Sequence, residues 1–87
     1  RKMDERTKEL VAIGASVAVN CHPCMKHHLA KCEELGLDRD DIVAAAEVGM
    51  MVNRGAASKT RSFSAELLGA PAAEARKKAA GGGCCGD

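Results

Sequence analysis

Residues 9–29 read ELVAIGASVAVNCHPCMKHHL, and the fold turns on how this stretch is read. In its first half Leu10, Val11, Ile13, Val17 and Ala18 recur at helical spacing. Asp4 and Glu5, just upstream, suit the positive end of a helix dipole. The spacing predicts a helix over 4–19, ended by Asn20. The second half opens with Cys21-His22-Pro23-Cys24. Proline fits a first helical turn, where its missing amide proton is no loss. A second helix is therefore expected from Cys21 or His22 through Leu29 and Cys32 to Leu35, with Gly36 as the residue just past its end.

The pattern stays helical downstream. Asp38 is a good N-cap, followed by Asp40 and Asp41 in the first turn. Ile42, Val43, Ala46, Met50 and Val52 supply the apolar positions of a third helix. Asn53, Arg54 and Gly55 suggest a weakening or an end, and 56–68 reads as a fourth helix with Phe63, Leu67 and Ala56 facing inward. Gly69 and Pro71 mark its stop. Residues 72–80 read as a short Ala-rich helix, and Gly81, Gly82 and Gly83 as a flexible link to Cys84 and Cys85. No segment alternates as a strand does, no internal repeat is present, and the βαβ pattern of a thioredoxin domain is missing. The expectation is an all-α bundle over 1–69, followed by an Ala-rich segment and a Gly-Cys-Cys tail over 70–87.

Size and composition narrow the classes. The sequence has 87 residues, a single aromatic residue (Phe63), and a formal net charge of +1. One domain this small buries a modest fraction of its surface, and large aromatic side chains that dominate many cores are nearly absent. Oligomerisation is expected to supply the missing burial. Acids and bases are interspersed without a basic stripe, which gives no footprint for nucleic acid. The longest apolar run, 10–19, is too short to span a bilayer and lacks the pattern of a signal peptide. The expectation is a soluble, cytoplasmic protein.

Five cysteines, Cys21, Cys24, Cys32, Cys84 and Cys85, carry the chemistry. The odd count argues against a structural disulfide framework. Two thiols three residues apart at a helix start can reach disulfide geometry, and the helix N-terminus favours a thiolate. One sulfur then acts as nucleophile while the other closes the bond by exchange. His28 lies four residues beyond Cys24, on the same helix face, and can take the thiol proton. His27 points about 100° away and reads as a surface residue; His22 sits inside the motif. The rival is a metal site. Cys24 and Cys32 lie about 12 Å apart along a helix axis, too far for one zinc ion, so Cys32 reads as a small buried hydrophobe. Cys84 and Cys85 offer two adjacent soft ligands, and a protein holding a thiophilic metal or arsenic(III) through Cys21, Cys24, Cys84 and Cys85 is the alternative. A third reading is a helical interaction module with incidental cysteines.

Glu9, Cys21, Cys24 and His28 together form E-x11-C-x2-C-x3-H. With the flanking text of residues 9–29 and DDIVAAAEVGMMVNRGAA at 40–57, this resembles the alkylhydroperoxidase-D-like branch of the carboxymuconolactone decarboxylase family. The resemblance runs from about Thr7 to about Leu68. It implies an all-helical fold assembled as a homo-oligomer, a trimer or hexamer, and peroxidase or disulfide-reductase chemistry without a bound cofactor. By position it implies that Cys24 is the nucleophile toward a peroxide or a protein disulfide and Cys21 the resolving thiol. It further implies that His28 deprotonates Cys24, that Glu9 orients or relays protons for His28, and that an external thiol or dithiol donates electrons. The decarboxylase branch lacks this dithiol, so lactone decarboxylation is not implied. One point of geometry stands against a simple picture. A plain antiparallel hairpin would leave Glu9 and His28 offset by about 7–8 Å along the axis.

Overall fold

Asp4 opens the first helix, α1 (Glu5–Ala18), with its side chain accepting the Thr7 amide at 3.0 Å and the Thr7 hydroxyl at 3.0 Å. The Thr7 amide is the main reason the Asp4 carboxyl sits below its ordinary pKa. Two further helices follow, α2 (His22–Glu34) and α3 (Arg39–Leu68). The structure is a computed structural model and describes residues 2–69, which are all-α: three helices and no strand. The chain divides into two units, Arg1–Met50 and Met51–Asp87.

In the first unit, α1 and α2 form an antiparallel hairpin whose turn is specified residue by residue. Asn20 adopts a positive φ of 60°. Its amide donates to the Val17 carbonyl at 3.1 Å, and the Cys21 amide donates to the Ser16 carbonyl at 2.9 Å. This is the Schellman arrangement, with asparagine in the left-handed position that glycine more often takes. The same motif ends α2. Gly36 has φ 70°, its amide donates to Glu33, and Leu37 donates to Cys32, both at 3.0 Å. Arg6 on α1 then reaches across to the Leu35 carbonyl at 2.9 Å, satisfying a group the end of α2 leaves open. Asp38 starts α3, its carboxylate accepting the Asp40 amide at 3.1 Å.

The core of this unit is small. Ile13, Cys32 and Ile42, one from each helix, are buried together, with Leu10, Leu29, Leu37, Ala45 and Ala46 packed around them. Small residues bring α1 and α3 close: a Cβ at Gly49 would collide with the Gly14 carbonyl oxygen and stand 2.9 Å from Val17 Cβ. Ser16 is also buried, its hydroxyl satisfied by the Ala12 carbonyl at 2.6 Å.

The second unit holds the rest of α3, and here two expectations are corrected. The helix passes through Asn53-Arg54-Gly55 unbroken, so 56–68 is its continuation and not a fourth helix. A single glycine costs a helix only about 1 kcal/mol relative to alanine, and no proline falls here to remove a hydrogen bond. Phe63 and Leu67 face outward at 64% and 69% exposure, and Ala56 is exposed too. Gly55 and Ser58 are the buried positions. Upstream, Val43 and Met50 are also exposed, while Ile42 and Ala46 face inward as expected. Gly69, at φ 76°, follows the last helical residue. The Ala-rich segment expected over 72–80 and the tail bearing Cys84 and Cys85 lie outside the described residues, as does the domain boundary expected at 69.

Candidate active site

Cys21 is the N-cap of α2 and has extended backbone angles. Pro23 occupies the first turn, and Cys24 follows. The two cysteines are joined in a disulfide, with their Cα atoms 5.3 Å apart. The Cys24 amide donates to Cys21 Sγ at 3.3 Å, so this sulfur fills the place that a serine or aspartate oxygen takes in an ordinary N-cap. Both cysteines are half-buried. The disulfide therefore sits at the positive end of a helix dipole, where reduction to a thiolate is favoured.

Two turns into α2, His28 meets a carboxylate from α1. Its Nδ1–H donates to Glu9 Oε1 at 2.7 Å. Glu9 is 6% exposed, and His28 is half-buried. The expected axial offset is absent, and the turn explains why. The Schellman bond sets Cys21 level with Ser16 rather than beyond the end of α1. Glu9 lies seven residues before Ser16, and His28 seven after Cys21. Each is thus about 10.5 Å from the turn, on adjacent antiparallel helices. No bend at Gly14 is needed, and α1 is helical through that residue.

With Nδ1 held by Glu9, Nε2 is the ring nitrogen left for other work. His27 is exposed, as expected, but its ring stands edge-on to that of His28, with centroids 4.9 Å apart. Cys32 is fully buried and unbonded. Burial pushes its thiol pKa up, and the negative charges of Glu9 and Glu33 add to the effect. It is the small core hydrophobe that its position suggested.

The described residues include no grouping of three or more His, Cys, Asp or Glu side chains arranged to hold a metal ion. Cys84 and Cys85, required by the arsenic(III) or metal alternative, lie outside the described residues. No described helix is long and apolar enough to cross a membrane.

Asn20 does more than its place at the end of α1 indicates. It ends the helix as expected, and its left-handed conformation also sets the register of the hairpin. The signal was present, because asparagine is the commonest substitute for glycine at that position. The Gly14–Gly49 crossing was missed, since a glycine in a helical pattern gives no indication of its neighbour.

Comparison with known families agrees with this architecture. Residues 1–66 match the profile of the carboxymuconolactone decarboxylase family. The chain belongs to the carboxymuconolactone decarboxylase family. No curated protein and no solved structure gave a match. Within a family that contains enzymes, this carboxymuconolactone decarboxylase family member carries a cysteine pair at bonding distance, as a redox dithiol requires.

Proposed function

We propose that this chain is a thiol–disulfide oxidoreductase with peroxidase activity, of the alkylhydroperoxidase-D-like branch, working through Cys21 and Cys24 without a bound cofactor. The observation that carries the reading is the Glu9–His28 hydrogen bond, formed on the helix whose first turn holds the dithiol. A surface disulfide with a structural role needs no buried carboxylate held on a histidine two turns away. A nucleophilic thiol does need a base, and a base is most effective when a third group fixes its tautomer and orientation.

In the reduced enzyme, Cys24 is the nucleophile and His28 Nε2 takes its proton. Glu9, holding Nδ1, supports the imidazolium that results. The Cys24 thiolate attacks one peroxide oxygen, and the O–O bond breaks. The proton held by His28 goes to the departing alkoxide, leaving an alcohol and a sulfenic acid on Cys24. Cys21 then attacks that sulfur; the S–S bond forms and water leaves. With a protein disulfide as oxidant, Cys24 attacks one of its sulfurs, and Cys21 resolves the mixed disulfide, releasing two thiols. In both cases an external thiol or dithiol supplies two electrons to reopen Cys21–Cys24 by exchange. A sulfur that accepts a helix amide is stabilised as a thiolate, which suits Cys21 both as resolving nucleophile and as leaving group.

The chain acts as a homo-oligomer in this reading. Turnover of an alkyl hydroperoxide with a dithiol donor tests the assignment. Cys24→Ser is expected to abolish turnover, and His28→Ala to slow it by roughly 10²–10⁴-fold, the usual contribution of a general base. Unchanged turnover in Cys24→Ser would sink the assignment.

A further inference from the structure

We propose that His27 is a positioning residue of the dithiol site: its ring steadies the His28 imidazole that Glu9 holds at one nitrogen, and so aims Nε2 at Cys24. The inference rests on the redox reading above and extends it to a residue that the E-x11-C-x2-C-x3-H pattern leaves out.

Neighbouring residues on a helix project about 100° apart and do not ordinarily face each other. The His27 and His28 rings nevertheless meet, with centroids 4.9 Å apart and planes at 80°. This is the edge-to-face arrangement that aromatic rings prefer. Reaching it requires the side chain of His27, an exposed residue, to lean toward His28 rather than out into solvent.

The helix shows what that placement does. His27 lies three residues beyond Cys24 and His28 four, and both separations bring side chains together on a helix surface. Viewed down the axis, the two positions flank Cys24, at about 60° on one side and 40° on the other. Helical side chains lean toward the N-terminus, so both rings tilt back toward the turn that carries the sulfur.

Glu9 alone does not settle the aim of Nε2. One hydrogen bond at Nδ1, 2.7 Å long, fixes the tautomer but lets the ring swing about that contact. Burial does not stop the swing, because the His28 side chain keeps 28% of its surface exposed. A second ring packed edge-on against it restricts that freedom. The contact also suits the charged form that His28 passes through after taking the Cys24 proton, since a cation is attracted to an aromatic ring. Neither effect needs His27 to touch the peroxide.

Nuclear magnetic resonance of the full chain, with turnover of an alkyl hydroperoxide by a dithiol donor, tests this. In the wild type the His28 ring protons are expected to carry a ring-current shift from His27. His27→Ala is expected to remove that shift and to lower kcat/KM by roughly tenfold, less than the loss a 1 Å misplacement can cause. Phenylalanine keeps a ring at this position without a titrating nitrogen, so His27→Phe is expected to recover the shift and most of the rate. Circular dichroism checks that the helices are intact in both variants. Absence of the shift in the wild type, full activity in His27→Ala, or no recovery in His27→Phe would overturn the proposal. Cys24→Ser separates it from the reading on which it rests. If turnover depends on Cys24 but is indifferent to His27→Ala, only the role of His27 fails; if turnover survives Cys24→Ser, both fail.

Discussion

Cys32 and Cys24 occupy the same helix eight residues apart and have opposite chemical surroundings. Cys24 lies half-buried in the first turn of α2, where the exposed amides and the helix dipole favour negative charge. Cys32 is sealed between Ile13 and Ile42, and both burial and the charges of Glu9 and Glu33 disfavour its thiolate. The raised pKa of Cys32 has a consequence for stability. The folded state holds that proton more tightly than the unfolded chain, in which a thiol titrates near pH ~8.5. The stabilisation is therefore complete below that pH and is lost as pH rises through the higher folded value. Melting temperature is expected to fall between pH 8 and 10 in the wild type, and to fall less steeply in Cys32→Ala. Equal slopes in the two proteins would show that Cys32 carries none of the dependence. The buried role of Cys32 was legible from its spacing. The meeting of Glu9 and His28 was implied by the family resemblance and not by helix geometry, because it depends on the conformation of one residue, Asn20, in the turn between them.

Helix boundaries in this chain follow local chemistry closely. Asp4 and Asp38 start two helices through side-chain acceptance of early amides, and Asn20 and Gly36 end two through positive φ. These signals are short-range and could be read in the sequence. The Asn53-Arg54-Gly55 segment has the same residue types but forms no end. Nothing there removes a backbone hydrogen bond, and the cost of one glycine is small against a helix that runs Arg39–Leu68. Composition alone does not distinguish a glycine tolerated within a helix from one required there. Gly49 is the required kind: an added methyl group meets the Gly14 carbonyl and Val17 Cβ of the facing helix. Gly49→Ala is therefore expected to destabilise the chain by about 1–3 kcal/mol through overpacking, although alanine is the better helix former. Denaturant unfolding measures this, and a stabilised Gly49→Ala variant would contradict the close crossing.

At the scale of the whole molecule, the three described helices contribute to a core of few large side chains in the first unit, and in the second unit Phe63, Leu67 and Leu68 are exposed. The scarcity of aromatic residues and the short length pointed to this from composition. The sequence also contained the spacing of Glu9, Cys21, Cys24 and His28, and with it the family. Which faces of α3 are covered was not readable, since periodicity marks an apolar stripe without naming what packs on it. The inward placement expected for Phe63 and Leu67 failed for that reason. The central claim concerns the dithiol, and it is tested most directly by mapping the cysteine bonds of the full chain by mass spectrometry. The reduced protein is first treated with one equivalent of alkyl hydroperoxide and then with a dithiol. The account predicts that the peroxide joins Cys21 to Cys24, that Cys32 stays free, and that the dithiol reopens the bond. If Cys21 and Cys24 remain unreactive thiols, or react only after a chelator is added, the redox assignment is contradicted and a bound thiophilic metal takes its place.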